Sequence, residues 1–227
     1  MYEYQFLIDA DILTAEKNLY DLPENARRGL TLETLQYFHC GYIAEWTPPQ
    51  SRFQNTYFVP TPRLIIPSGG GYLARLTVPI ENYSAEARKT VKAKMHAGKI
   101  HPFNFDAVSE TELNIIVEGE IDAMSIWQAV GGKYPAIATG GADNFTHFVQ
   151  KLNETRAEQS LKFLILFDND AAGRNAAAKF VNALSAKHSA SAKFLEPNQD
   201  ANAILQSHGT NALAEILSEI FSANARD

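Results

Sequence analysis

Beyond residue 112 the chain alternates between short apolar runs and stretches of helical period. "LNIIVE", "YPAIAT", "LKFLILFD" and "SAKFLEP" are β-type runs. "IDAMSIWQAV", "DNFTHFVQKLNET" and "AAGRNAAAKFVNALSAKH" follow the first three as helix patterns, and "DANAILQSHG" and a last helix follow the fourth. In that last helix Leu213, Ile216, Leu217, Ile220 and Phe221 keep i, i+3, i+4, i+7, i+8 spacing, one buried stripe. Strands alternating with helices predict βαβ units: a parallel sheet of about four strands flanked by helices, an α/β class. Ligands of such sheets sit at the carboxyl ends of the strands.

The preceding part reads differently. Leu32, Leu35 and Phe38 share a helix face. Residues 47–72 are rich in Pro, Gly and Ser, which punctuate short strands. "RLIIP" and "GGGYLARLTV" predict a hairpin in which Gly69, Gly70 and Gly71 supply positive φ. The expected organisation is a smaller α+β subdomain over 1–108 and an α/β domain over 109–227.

No run of about 18 apolar residues exists, so no membrane partner is expected. The acidic first residues lack the basic region of a secretory signal. A single cysteine, Cys40, excludes a disulfide within the chain and a cysteine-rich zinc site. It reads as a small buried hydrophobe in a cytoplasmic protein.

The net charge of −6 would argue against a nucleic-acid partner, but it is unevenly distributed. Residues 26–105 carry ten basic and four acidic side chains, a net +6. Residues 106–227 carry −7 and residues 1–25 carry −5. A basic surface for a polyanion beside an acidic region for cations fits this division. Within the basic part, Arg63, Arg75, Lys92, Lys94 and Lys99 are either contacts to phosphate or a solvated face.

The runs of the second part end in carboxylates. Glu118-Gly119 closes the first, with Glu120 and Asp122 just beyond; Thr139-Gly140-Gly141 closes the second; Asp168-Asn169-Asp170 closes the third; Glu196 and Asp200 follow the fourth. A parallel sheet would gather Glu118, Asp168, Asp170 and Asp200 at one edge. Their mutual repulsion is relieved by hard divalent cations, and Mg²⁺ takes few carboxylates, several waters and substrate phosphates. Gly119 and Gly173 suit close backbone approach. The plainer reading of the aspartates is helix capping, and of Glu120 and Asp122 complementation of a helix dipole.

"IIVEGEIDAMS" followed some fifty residues later by "LILFDNDAAGRNAA" resembles a TOPRIM domain, the catalytic fold of bacterial-type primases, type IA and type II topoisomerases and some nucleases. The resemblance covers about 112–205 and rests on Glu118-Gly119 and Asp168-Asn169-Asp170. Asp122, Gly173 and Arg174, and Asp200 in "QDANAIL", match the primase branch, while Gln199 departs from its frequent lysine. More loosely, "RRGLTLETLQYFHCGY", "PRLIIPSGGGYLARLT" and "KAKMHAGKIHPFNF" resemble the segments before a primase core, best known in phage and mobile-element proteins.

That resemblance implies a TOPRIM fold and a DNA primase-like nucleotidyltransferase that makes RNA primers. Its partners are single-stranded DNA, nucleoside triphosphates and, as a candidate, a replicative helicase. It implies two or more Mg²⁺ or Mn²⁺ ions on Glu118, Asp168, Asp170 and Asp200, with Glu118, Asp168 and Asp170 as the catalytic acids. Arg75, Lys92, Lys94, Lys99, Gly119 and Arg174 are expected at the triphosphate or template phosphates. The lone cysteine rules out the zinc ribbon that usually opens bacterial primases, and a helicase-binding domain is not expected after the last helix, so activity alone is expected to be weak. A TOPRIM nuclease and a non-catalytic replication adaptor are the alternatives; a topoisomerase would need a further tyrosine-bearing domain.

Overall fold

The computed structural model describes residues 2–99, 102–141, 144–156 and 158–224. Ile100 and His101 of the basic stretch, and Asp143 at the expected start of the second helix, lie outside them. The chain forms two compact units, Met1–His101 and Pro102–Asp227.

The first unit contains α1 (Tyr2–Lys17), α2 (Leu32–Tyr37), β1 (Gly41–Trp46), α3 (Pro49–Phe53), β2 (Thr61–Ser68), β3 (Gly70–Leu76) and β4 (Lys94–Lys99). Its strands form an antiparallel sheet in the order β1-β2-β3-β4. The expected hairpin is β2–β3, closing with Ser68 opposite Gly71. Of its three glycines only Gly69 takes positive φ (62°). Gly71 is needed for another reason: a Cβ there would stand 2.2 Å from the Ala97 carbonyl oxygen.

α1 was not legible from its pattern, because it is apolar on two sides. One side, with Ile8 and Ala15, packs on Trp46, Ile65, Tyr72 and Ala97. The close approach comes at Gly41, where a Cβ would meet the Ala15 carbonyl carbon at 2.0 Å. Asp11, buried on the same side, accepts from Tyr72 Oη and Arg52 Nη2, and Tyr72 Oη accepts from Trp46 Nε1 at 2.8 Å. A buried carboxylate is tolerable there because an arginine and a phenol both donate to it.

The second unit contains β5 (Leu113–Val117), α4 (Glu120–Ala129), β6 (Ala136–Ala138), α5 (Phe145–Thr155), β7 (Lys162–Ile165), α6 (Ala171–Ser185), β8 (Ser189–Ala192) and α7 (Ala201–Asn224). The strands are all parallel, in the order β6-β5-β7-β8. Right-handed crossovers then place α4 on one face and α5 and α6 on the other. Phe105, Phe148, Phe163 and Phe180 centre the core under α5 and α6; Phe148 meets the other three rings at 5.3–5.9 Å. α4 and α7 pack on each other.

Two expectations shift. The fourth strand is Ser189–Ala192, so most of "SAKFLEP" is irregular. The last helical region is continuous in its ends but broken inside, where Gly209 has φ 83° and ψ 176°. Leu213 and Leu217 of the expected stripe are buried. Among the described residues no helix is long and apolar enough to cross a membrane. Cys40 is buried, and burial pushes its thiol pKa up.

His188, buried at the start of β8, accepts the Leu161 N–H on Nδ1 at 3.3 Å and packs edge-on against Phe163. Burial lowers its pKa below the usual 6.5, with Lys187 adding to the shift. The unfolded chain therefore binds the proton more readily, and folding stability falls as pH drops through 6.5 toward the folded value. Urea midpoints measured across that range are expected to decline, and His188→Gln is expected to flatten the decline.

Candidate active site

The strand order fixes where a site can form. The chain leaves β5 toward β6 on one side of the sheet and leaves β7 toward β8 on the other. The crevice at such a reversal lies beyond the carboxyl ends of β5 and β7. Ile116 pairs with Ile165, and the Leu166 N–H donates to the Ile116 carbonyl at 2.8 Å. The residues that follow, Glu118 and Asp168, must therefore emerge side by side. The Asp168 N–H donates to Glu118 Oε1 at 3.2 Å.

Glu118, Asp122, Asp168, Gln199 and Asp200 line one narrow cleft there. Its enclosed space is about 10 Å³, of the order of a single water-sized sphere. No lysine or arginine lines it among the described residues. Asp122, which the sequence leaves between a dipole role and a site role, faces this cleft; Oδ1 accepts the Asn202 N–H at 3.1 Å. Glu120 is buried near Gly140 instead, its Oε1 3.7 Å from where a Gly140 Cβ would be.

Asp170 and Asp200 carry a capping role as well. Asp170 is the N-cap of α6, with Oδ1 accepting the Gly173 N–H at 2.7 Å. Asp200 Oδ1 accepts the Ala203 N–H at 2.6 Å at the start of α7. Asp170 does not line the cleft with Glu118 and Asp168. The plain capping reading thus describes the geometry of Asp170, and describes part of the role of Asp200.

Two glycines permit the arrangement. At Gly173 a Cβ would stand 2.2 Å from the Asp168 carbonyl oxygen and 3.0 Å from Glu118 Oε1. At Gly119 it would stand 2.6 Å from Asp122 Oδ2. The loop between β7 and α6 is braced by groups whose role the motif alone does not reveal. Asn169 Nδ2 donates to the Leu195 carbonyl at 2.7 Å, and Arg174 Nη1 donates to Asn169 Oδ1 at 2.8 Å and to its carbonyl at 3.1 Å. Arg174 is exposed, and these contacts hold the loop that carries Asp168.

The lining fits a hard divalent ion. Its charged groups are carboxylates only, the donors Mg²⁺ and Mn²⁺ prefer. Among the described residues no three acids, histidines or cysteines are gathered closely enough to hold an ion by themselves.

In the first unit, Arg75 on β3 and Lys94 on β4 are directly opposite each other. Like charges in register destabilise a sheet unless an anion offsets them. Lys92 is exposed just before β4, and Lys99, opposite Gly70, belongs by register to the other face from Lys94. Arg63 is neither a surface contact nor a solvated cation: it is fully buried. It donates to Thr61 Oγ1 at 2.9 Å and to the Lys92 carbonyl at 2.6 Å, and lies 5.2 Å from the Trp46 ring centre. Burial lowers its pKa to about 10. Its sequence gives no sign of this, since an arginine on a strand is usually exposed.

Residues 115–205 match the family model described as Toprim-like. In fold this part of the chain is Toprim-like. No curated protein gives a significant sequence match. Among solved structures, the RNA polymerase domain of Mycobacterium tuberculosis primase DnaG is 15% identical with a TM-score of 0.63, over 96% of this chain and 83% of that one. The same domain in complex with double-stranded DNA gives 17% and 0.64, over 96% and 80%. The primase fragment of the bacteriophage T7 primase-helicase protein gives 18% and 0.61, over 89% and 79%. The chain therefore shares the fold of primase catalytic cores, the Toprim-like domain together with the sheet unit before it.

Gly173→Ala is expected to cost about 1–3 kcal/mol, the scale of overpacking, by forcing α6 away from Asp168. Urea unfolding measures the loss, and titration with Mn²⁺ followed by electron paramagnetic resonance is expected to show weakened binding.

Proposed function

We propose that this chain is a primase-like catalytic core that makes RNA primers on single-stranded DNA. Its reaction is divalent-metal-dependent nucleotidyl transfer from nucleoside triphosphates. The observation that carries the reading is the convergence of Glu118, Asp122, Asp168 and Asp200 on one cleft at the reversal of strand order. The shared fold with primase cores supports it.

Phosphoryl transfer demands positioning and charge neutralisation more than covalent chemistry. Bound Mg²⁺ or Mn²⁺ supplies Lewis acidity toward the triphosphate and acidifies the primer 3′-hydroxyl. Asp168 and Asp200 hold the cations, with Asp122 beside them and Asp170 contributing through the oxygen not used in its cap. Glu118, anchored through the Asp168 N–H, takes up the hydroxyl proton or completes the cation shell. Arg75 and Lys94 hold phosphates of the triphosphate or template, with Lys92 and Lys99 strengthening the positive field. Arg174 keeps the Asp168 loop in place and offers its exposed side to phosphate. The T7 protein whose fragment shares this fold is a primase-helicase, which supports a replicative helicase as partner and a phage or mobile-element setting.

The lack of a self-sufficient three-acid cluster favours one competing reading, a DNA-binding adaptor without catalysis. A primer-synthesis assay on single-stranded DNA with labelled ribonucleotides and Mg²⁺ or Mn²⁺ separates the readings. Asp168→Ala and Glu118→Gln are each expected to lower the rate by about 10²-fold or more, the scale of losing one electrostatic stabiliser. Unchanged synthesis in either variant refutes its assigned role. Template cleavage in place of extension identifies a nuclease. Salt-sensitive DNA binding with no product and no metal dependence identifies the adaptor.

A further inference from the structure

α1 and the 3-10 turn after it carry a second seam on the side away from the sheet. Phe6, Leu13 and Tyr20 are 69%, 58% and 67% exposed. Asp9 and Glu16 lie between them and are also exposed. The five positions follow 3-4-3-4 spacing, the a and d positions of a coiled-coil heptad. Tyr20 follows in the 3-10 turn Leu19–Asp21, where the Asp21 N–H donates to Asn18 O at 3.0 Å and the Tyr20 hydroxyl accepts from Gln36 Nε2 at 2.6 Å. The buried side of the same segment is a separate row, Ile8, Ala15 and Leu19. The outer seam therefore does not belong to the core of the unit.

Single exposed apolar residues need no explanation, but these three recur at seven-residue spacing with an exposed acid between each pair. The acids between them define what can cover the seam. Asp9 accepts from Gln5 Nε2 at 2.9 Å, and Glu16 pairs with the exposed His39 at 2.9 Å. Both contacts lie at the surface and leave carboxylate oxygens for further donors. A second copy of this chain fits poorly. Parallel self-pairing sets acid against acid, and antiparallel self-pairing sets acid against apolar residue.

We infer that the Phe6–Tyr20 seam docks a helix of a partner protein that presents apolar residues alternating with Lys or Arg at heptad spacing. Its apolar side chains cover Phe6, Leu13 and Tyr20, and its cations face Asp9 and Glu16.

The test uses synthetic helices of about three heptads with Leu at a and Lys at d, binding measured by fluorescence anisotropy on the full chain. The Lys peptide is expected to bind and to weaken with salt. Leu13→Lys, and separately Phe6→Ser, are expected to cut affinity about tenfold or more while leaving the thermal midpoint unchanged, since both side chains are mostly exposed. Glu16→Gln with Asp9→Asn is expected to remove the salt dependence. A matched peptide with Glu at d is expected not to bind. Equal binding of the Lys peptide to the native chain and to both Leu13→Lys and Phe6→Ser overturns the proposal, as does equal binding of the Glu peptide. Self-association of the native chain that Leu13→Lys abolishes also overturns it, because the occupant is then a second copy.

Discussion

The parallel pairing of β5 with β7 governs the rest of the second unit. Because Ile116 and Ile165 are partners, the first residues beyond both strands leave the sheet together. Glu118 and Asp168 are thus neighbours in space although fifty positions apart in the chain, joined by the Asp168 N–H. The reversal of winding at this pair moves α4 to one face and α6 to the other, which opens a crevice between them. The cost is crowding at the first turn of α6. Gly173 resolves it by presenting no side chain where the Asp168 carbonyl passes.

The two units divide the electrostatic work. The second gathers acids at one strand edge, an arrangement that favours small multivalent cations. The first sets Arg75 against Lys94 and buries Arg63 beneath the Lys92 backbone, so positive charge accumulates on and within one sheet. Each group is unfavourable by itself in the way like charges generally are. The first unit as a whole is nevertheless near neutral, because the acids of residues 1–25 offset the basic stretch that follows, while the second unit is acidic.

Much of this organisation was legible. The βαβ rhythm, the hairpin and the acids at the strand ends were visible because apolar period and short motifs act locally. Three features were not. α1 hides its periodicity by being apolar on both sides, so neither face stands out against the other. Arg63 looks like any strand arginine until the carbonyls of Lys92 and Ala93 are brought to it from thirty residues away. Asp170 shares its motif with Asp168 but caps α6 through Oδ1, because the Gly173 N–H lies within its reach. The parity of two residues within a motif says nothing of the turn between strand and helix, which sends their side chains to different places.

The interruption at Gly209 makes α7 two short rods rather than one long one. The proximal rod carries Asn202 against Asp122 and Ser125, and the distal rod is tethered to α4 through Gln128 and Thr210. Gly209 takes a φ that other residues rarely adopt, so a side chain there would disturb the angle at which both rods meet α4.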